Sequence, residues 1–226
     1  MSDLFEKQHP LLASIKNVGF KNINYKVIAK DYTGNEDPYI HIGGIAATIR
    51  KSKIAQCYST GNIYCEAGEE IFVRNCAIGS EIIDSSMIIN CYSNVDIYEK
   101  SYSKNAMVAG IIAWMADSTI ENCYAQVKIS AKCTQGYMYV GGINASGENG
   151  NVINCVTLWD NMLDSYGFYS YVDRISYFAR KYGNISMYSY DQNAKKASTY
   201  KGLGWDFKRI WMISKGYPVL KINENH

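Results

Sequence analysis

The sequence has little proline and almost no excess of either charge. There are 3 prolines among 226 residues, which excludes collagen-like sequences and proline-rich linkers. Lysine and arginine (23) nearly balance aspartate and glutamate (21), so the chain lacks the basic excess typical of proteins that wrap nucleic acid. With 47% hydrophobic residues, the composition is that of a folded protein rather than a disordered one. Nucleic acid is therefore a disfavoured partner.

No targeting or membrane segment is visible. Residues 1–7 lack the basic and apolar stretches of a secretory signal. The longest mostly apolar run covers about residues 107–116, far short of the ~20 residues that a membrane-spanning helix needs. We expect no membrane association, and a cytoplasmic location if this is the full-length chain without a signal.

The usual parts of catalytic and metal sites are missing as well. The histidines are His9, His41 and His226, and none lies in a His-Glu-x-x-His motif. No two cysteines have the Cys-x-x-Cys spacing of zinc sites. Two acidic clusters lie between the repeat strands. Paired carboxylates ~5 to 9 Å apart can act as general acid and general base. Carboxylates in loops more often only solvate a turn. The clusters are Asp31, Glu36 and Asp37, and Glu66, Glu69 and Glu70. We predict no catalytic residue, no metal and no cofactor.

What the sequence does contain is a repeat marked by cysteine. The phrase Ile-x-Asn-Cys-Tyr-Ser and its variants place Cys57, Cys91, Cys123 and Cys155 at steps of 34, 32 and 32 residues. A second phrase, typified by Val-Gly-Gly-Ile, interleaves with the first in phase. Its copies contain Gly43 and Gly44, Gly110, and Gly141 and Gly142. The missing copy is expected at residues 72–77. Two phrases in phase indicate a true internal repeat.

Side chains alternate within each repeat. Counted from the repeat cysteine, even positions are small or apolar, such as Ile63, Ile97 and Ile129 at position six, whereas position five is polar. This period of two predicts strands with one buried face. Strands at a fixed interval without hairpin turns predict parallel stacking. The fold class is therefore all-β, a parallel β-helix (β-solenoid) with about 32-residue repeats and an aromatic-rich C-terminal cap. Repeats occupy 1–157 and the capping segment 158–226; one or two coils per repeat remain open.

Three residue types have structural interpretations within these repeats. Cysteine is among the most buried residue types, so its recurrence predicts a ladder of free thiols inside the solenoid rather than disulfides. The asparagines before the cysteines, Asn90, Asn122 and Asn154, are expected to mark a bend and to stack their amides between coils. The glycines are expected at tight turns or close backbone approaches, because no lysine or helix follows them as in a phosphate loop.

Together with the C-terminal residues, the repeats resemble a known family. Alternation of the cysteine and glycine phrases, followed by Gly204-Trp205-Asp206-Phe207, Ile210-Trp211 and Gly216-Tyr217-Pro218-Val219-Leu220, is similar to the bacterial GLUG-motif repeat proteins. The resemblance covers residues 13–221. It implies a β-helix-like solenoid within a larger secreted or cell-surface protein, as in adhesin-like proteins and the accessory regions of some metallopeptidases. It implies no shared catalytic residues.

The C-terminal third is rich in tyrosine. One interpretation is a cap that covers the last coil; the other is a stacking platform for a sugar or another flat ligand, with arginines beside the rings. The candidate ligand-binding residues are Tyr166, Tyr169, Tyr171, Arg174 and Arg180.

These observations favour a non-catalytic binding or display module of a bacterial surface or secreted repeat protein. Its ligand would be a glycan or a protein on the outer face, and subunits would associate through the N-terminal coil end. One alternative is a stand-alone intracellular or phage-borne inhibitor or adaptor that binds a protein or small ligand, since unpaired thiols suit a reducing compartment. A second alternative is a carbohydrate-active β-helix enzyme that uses acidic residues such as Asp37, Glu69 and Glu70.

Overall fold

The chain forms a parallel β-solenoid. A computed structural model describes residues 13–102, 105–159, 163–176, 178–188 and 191–222, and the side chains of 159 and 163–168 are left undescribed. In chain order the strands are β1 (Ala13–Lys16), β2 (Gly19–Ala29), β3 (Tyr39–Gly43), β4 (Ala46–Arg50), β5 (Ser52–Ala55), β6 (Tyr58–Ala67), β7 (Phe72–Cys76), β8 (Gly79–Ile83), β9 (Met87–Ile89), β10 (Tyr92–Ser101), β11 (Asn105–Ala109), β12 (Ile112–Ala116), β13 (Thr119–Glu121), β14 (Tyr124–Gly141), β15 (Asn144–Glu148), β16 (Asn151–Ile153), β17 (Val156–Trp159), β18 (Leu163–Asp173), β19 (Arg180–Tyr182), β20 (Ile185–Tyr188), β21 (Trp211–Ser214) and β22 (Tyr217–Leu220). The fold class predicted from the repeat is confirmed.

Each turn of the solenoid contributes strands to four faces. Face 1 stacks β1, β5, β9, β13, β16 and β19, and face 4 stacks β4, β8, β12 and β15. The large sheet between them is bent into two faces. Face 2 contains β2, β6, β10, the first half of β14, β17, the first half of β18 and β20. Face 3 contains β3, β7, β11 and the second halves of β14 and β18. Because face 4 has four strands and face 1 has six, the solenoid makes four complete turns, a fifth turn without a face 4 strand, and the start of a sixth.

One repeat makes one coil. Tyr58, Tyr92 and Tyr124 occupy the same register position in neighbouring strands of face 2, so a step of 32 to 34 residues climbs a single strand spacing. The missing copy of the glycine phrase also lies where the period predicts it. Phe72 pairs with Tyr39, and Cys76 pairs with Gly43. The count of coils per repeat, which the sequence left open, is therefore settled by the register.

The interior is built from the even positions of each repeat. Ile63, Ile97 and Ile129 are at most 2% exposed and belong to one continuous hydrophobic core that runs through the turns. The odd positions point outward, as the polar residues at position five required. Stacking identical aliphatic side chains in successive rungs removes them from water without any hairpin, which explains how a chain with few turn dipeptides folds into sheets.

The residues before the repeat cysteines form the bends between faces 1 and 2. Asn90, Asn122 and Asn154 have φ values of 53, 52 and 51°, and Gln56 has 52°. Asparagine tolerates this left-handed conformation better than most residues, so the predicted bend is confirmed. The predicted amide ladder is not continuous. The side-chain oxygen of Asn90 accepts a hydrogen bond from the indole of Trp211, whereas that of Asn122 is buried without a partner among the described residues.

Glycine in the second phrase allows neighbouring coils to approach closely. A Cβ atom on Gly110 would lie 2.2 Å from the carbonyl oxygen of Gly142, and one on Gly142 would lie 2.0 Å from that of Arg174. These contacts are with backbone atoms, which cannot move aside without displacing the next rung. The expectation of a close backbone approach is confirmed at this corner.

Residues after the last cysteine extend the stack before leaving it. β18 pairs with β14 along both face 2 and face 3, so residues 163–173 form part of a fifth turn that covers the fourth. A 3-10 turn at Gln192–Lys195, the helix α1 at Ala197–Lys201 and the antiparallel hairpin β21–β22 follow. Most of this C-terminal segment, residues 191–222, lies on the outside of face 2. There it buries Trp205 and Trp211 against the repeat tyrosines Tyr58, Tyr92 and Tyr124.

The other end of the solenoid is formed by β1 and β2, where self-association was predicted. Ile15, Phe20 and Ile28 are exposed there. Residues 1–12, which precede this end, lie outside the described residues. No helix among the described residues is long and apolar enough to cross a membrane.

All seven cysteines are buried and free in the structure. We expect almost no reaction with a thiol reagent in the native protein and seven thiols in the denatured, unreduced protein. Burial raises the pKa of the Cys65 and Cys123 thiols, and it raises that of Cys76 to about 12, so at these three positions the reactive thiolate is scarce as well as inaccessible.

The measurement is a titration with and without denaturant. The repeat cysteines lie one strand spacing, ~4.8 Å, apart, which is within the Cα range of disulfides. A denatured count below seven would therefore show that neighbouring rungs had been crosslinked and would contradict the free ladder.

Candidate functional site

Faces 3 and 4 meet at an angle that is concave on the outside of the solenoid. The outward-facing small residues Cys76 and Ala109 of face 3 and Ala113 and Ala145 of face 4 are all 0% exposed, because they pack against one another across the angle. Met107 and Tyr139 cover this small cluster. Small side chains let the two faces close together, and the larger residues on either side form walls. The result is a groove that runs along the solenoid axis.

Aromatic side chains line the groove on the outside of face 3. The strand register places Tyr39, Phe72, Asn105, Tyr137 and Tyr169 in one column. Tyr39 stacks on Phe72 with ring centroids 5.0 Å apart, and Tyr137 stacks on Tyr169 at 5.3 Å. Tyr39, Tyr137 and Tyr169 are 50, 41 and 51% exposed, so these rings present apolar surface to solvent.

A second column runs beside the first and closer to face 4. It contains His41, Arg74, Met107, Tyr139 and Tyr171. Tyr139 and Tyr171 stack at 5.1 Å. The aromatic groove is defined here as both columns together with Glu81 and Trp114 of face 4.

A mostly buried ion pair crosses the aromatic groove. The guanidinium of Arg74 on face 3 pairs with the carboxylate of Glu81 on face 4, and the two side chains are only 15 and 16% exposed. The same guanidinium lies 5.3 Å from the ring of Tyr39 and 5.2 Å from that of Trp114. Charge pairing and contacts between cation and ring hold Arg74 in a fixed position, so the groove has a rigid polar point among its aromatic walls.

His41 lies beside this ion pair. Its Nδ1 is 3.2 Å from the hydroxyl of Ser80, which donates a hydrogen bond to the carbonyl oxygen of Arg74. Burial and the neighbouring charge of Arg74 lower the pKa of His41. The lowered pKa favours the neutral imidazole, which is held beside the ion pair by these contacts.

Only part of the predicted site belongs to the aromatic groove. Tyr169 and Tyr171 lie in its two columns. Tyr166 has its backbone in β18, but its side chain lies outside the described residues.

The two predicted arginines lie elsewhere. The guanidinium of Arg174, which follows β18, is 5.5 Å from the ring of Tyr188, which ends β20, so this pair lies at the C-terminal end of the solenoid. Arg180 begins β19 on face 1. The structure does not bring either arginine beside Tyr169.

Most residues of the aromatic groove were missed by the interpretation of the sequence. The signal was the period itself, because Tyr137 and Tyr139 precede Tyr169 and Tyr171 by one 32-residue step. Aligning the outward-facing positions of successive repeats places Tyr137 beside Tyr169 and Tyr139 beside Tyr171, which predicts these stacks. The tyrosine-rich composition of the C-terminal third does not by itself place these residues in the outward columns.

The acidic clusters of the sequence lie away from the aromatic groove. Asp31 and Glu69 lie in the turns between faces 2 and 3, where the carboxylate of Asp31 accepts a hydrogen bond from the backbone of Glu69. Glu66 on face 2 pairs with Lys100 at 2.7 Å. No group of three or more potential metal ligands occurs among the described residues.

The fold defines the chain as a β-solenoid repeat protein. No family model and no curated protein matches it. A solved structure from Bacteroides ovatus, provisionally described as an immunoglobulin A1 protease, is 13% identical and aligns with 92% of this chain and 75% of its own, with a TM-score of 0.36. At this distance the likeness carries no argument about activity.

Proposed function

We propose that the chain is a non-catalytic, glycan-binding module of a bacterial surface or secreted protein of the GLUG-repeat type. The observation that carries the proposal is the column of exposed, stacked rings along the aromatic groove. Rings that stack on one another and still expose half their surface present a flat apolar strip. Sugar rings bind such strips through their C–H faces, while polar groups at the edge hold the hydroxyls.

A binding role is supported by the shape and chemistry of the aromatic groove. It runs parallel to the solenoid axis across five rungs at ~4.8 Å each, a length suited to several residues of a linear polysaccharide. Glu81 is the one carboxylate among the groove residues defined above, and it is paired with Arg74. Glycoside hydrolysis ordinarily needs two carboxyl groups on either side of the bond. These features favour binding without cleavage.

The test compares two matched double variants. Tyr137→Ala with Tyr169→Ala removes a stacked pair from the aromatic groove, and Tyr64→Ala with Tyr98→Ala removes a pair stacked at 5.0 Å on face 2, where Tyr98 is 43% exposed. We expect the groove variant to bind polysaccharide roughly tenfold more weakly, since two stacking contacts are lost. The control should bind like the wild type.

Binding is measured by affinity gel electrophoresis in hydroxyethylcellulose, glucomannan, galactomannan, dextran, polygalacturonate and alginate. An equal loss of polysaccharide affinity in both double variants would show that the aromatic groove has no special role in binding. Failure of the wild type to bind any of the six would contradict the glycan-binding function. Release of reducing sugar by the wild type, lost on substitution of Glu69 or Glu70, would support the enzyme alternative.

A further inference from the structure

The aromatic column of face 3 is interrupted at one rung. Between the stack of Tyr39 on Phe72 and the stack of Tyr137 on Tyr169, the register position is occupied by Asn105. The side-chain oxygen of Asn105 accepts a hydrogen bond from the backbone N–H of Tyr137 at 3.0 Å, which fixes its amide. A short side chain held in this way leaves a gap between two aromatic stacks.

A depression marks this gap. It encloses about 210 Å³, and its lining includes Phe72, Val73, Asn105, Met107 and Trp114. Phe72 and Tyr137 are two strand spacings apart, ~9.6 Å. The rings of Tyr39 and Phe72 lie at 18° to each other and those of Tyr137 and Tyr169 at 21°, and the register places Phe72 and Tyr137 on either side of Asn105. The ring of Phe72 lines the depression, and Tyr137 occupies the next rung beyond Asn105 in the same column.

The separation of Phe72 and Tyr137 suits one inserted ring. Neighbouring rings in the column are 5.0 and 5.3 Å apart, so a ring at the level of Asn105 would continue the column at its own spacing. These distances lie within the usual range for stacked aromatic rings, ~4.5–7 Å between centroids. A pyranose chair at this level would direct C–H groups at Phe72 and Tyr137, the two rings that flank Asn105 in the column.

The polar groups around the gap suit a neutral sugar. Arg74 and Tyr39 complete the lining, and the charge of Arg74 is compensated by Glu81. A paired guanidinium and carboxylate, together with an amide, provide donors and acceptors for hydroxyl groups but no net charge to attract an anion. A uronic acid would bring an uncompensated carboxylate close to Glu81.

The geometry points to a subsite in which one pyranose ring of a neutral glycan is inserted between Phe72 and Tyr137 at the level of Asn105. This inference rests on the proposed glycan binding and specifies where one sugar is enclosed. The other aromatic residues of the groove would then support the chain on either side of the inserted sugar.

The decisive variant is Asn105→Phe, which fills the gap with a ring of the protein and completes the column. If the gap is a subsite, filling it should reduce the affinity for the wild type's preferred neutral polysaccharide about tenfold, because the sugar can no longer stack on both rings. If the aromatic groove is only a continuous stacking surface, the additional ring should strengthen binding or leave it unchanged, and the inference is overturned.

A second readout follows the lining residue Trp114. Ligand entering the gap should change tryptophan emission in the wild type, and this change should be lost in Trp114→Phe, whose folding is checked by its melting temperature. An unchanged emission response in Trp114→Phe would place the sugar elsewhere. Preference of the wild type for polygalacturonate or alginate would overturn the assignment to a neutral sugar while leaving glycan binding intact. Failure to bind any of the six polysaccharides would overturn both.

Discussion

Replacing Trp211 with alanine is expected to detach the C-terminal segment from the solenoid. Trp211 is 0% exposed, lies 4.5 Å from the ring of Trp205 and 6.5 Å from that of Tyr92, and donates its indole N–H to Asn90. Removing a buried aromatic side chain costs about 3–5 kcal/mol through lost burial and the cavity left behind. The lost free energy should mainly weaken the docking of residues 191–222 onto face 2.

The reason is that the segment and the solenoid have separate cores. The cluster around Trp211 contains the outward repeat tyrosines, whereas the interior of the solenoid is a different cluster of isoleucine, valine and cysteine. The coils therefore keep their own contacts when the segment leaves. In Trp211→Ala, limited proteolysis should cleave within residues 191–222 while far-ultraviolet circular dichroism retains the β-sheet signal.

Trp211→Phe and Trp114→Ala serve as controls. Phenylalanine keeps much of the ring contact and should protect the segment partly. Trp114 lies in the aromatic groove and belongs to the other side of the molecule, so its loss should leave residues 191–222 protected. A single unfolding transition in Trp211→Ala without early cleavage would show that segment and solenoid form one cooperative unit.

This packing gives a physical reason for two sequence features that occur together. The tyrosines after the first three repeat cysteines face outward, yet Tyr58, Tyr92 and Tyr124 are at most 6% exposed. They are covered by Trp205 and Trp211 of the C-terminal phrase. The sequence predicts the repeat and the aromatic phrase separately. It does not predict their contact, because the path of residues 191–222 depends on tertiary packing rather than on any period.

The aromatic groove illustrates the same limit. Its columns follow from the 32-residue step, so Tyr137 beneath Tyr169 was predictable from the outward positions of each repeat. That faces 3 and 4 meet at a concave angle was not, since the angle depends on how closely Ala109, Ala113 and Ala145 pack. A single column of rings on a convex face would be a surface feature, whereas the same column beside a second face becomes a groove.

Glu99 is a further residue whose position the period could have revealed. It lies eight positions after Cys91, an even and therefore inward position, and the structure confirms that it is 1% exposed. Cys65 and Ala131 occupy the same position in neighbouring turns. Alternation predicts that a residue points inward, but it does not reveal which polar group on another face will meet it. Here the partner is Asn75, whose amide nitrogen donates to Glu99 at 3.0 Å.

We expect Glu99 to make the protein less stable as the pH rises from about 4.5 to 7. Burial raises the pKa of Glu99 to about 7 in the folded protein. In this window the unfolded chain has lost the proton that the folded protein retains, so the free energy of unfolding falls by about 1.4 kcal/mol per pH unit, or about 3 kcal/mol in total. Above pH 7 both states are ionised and the contribution is constant.

The hydrogen bonds around Glu99 agree with a protonated carboxyl. One carboxyl oxygen of Glu99 and the amide oxygen of Asn75 are buried without a partner among the described residues. Both are acceptors when the carboxyl is ionised. Protonation turns one of them into a donor, which is what this pair lacks. A glutamine at position 99 supplies a donor at every pH.

Glu99→Gln should therefore remove the pH dependence and make the protein more stable than the wild type above pH 7. The measurement is urea unfolding at pH 4.5, 5.5, 6.5 and 7.5, taken as the difference between variant and wild type so that other titrating groups cancel.

Glu66→Gln is the control on the neighbouring strand. Its carboxylate has a pKa lowered by hydrogen bonds from Lys100 and Tyr64, so its contribution is lost as the pH falls rather than as it rises. Parallel curves for Glu99→Gln and the wild type from pH 4.5 to 7.5 would show that Glu99 is ionised within the folded solenoid, and that the interior tolerates a charge.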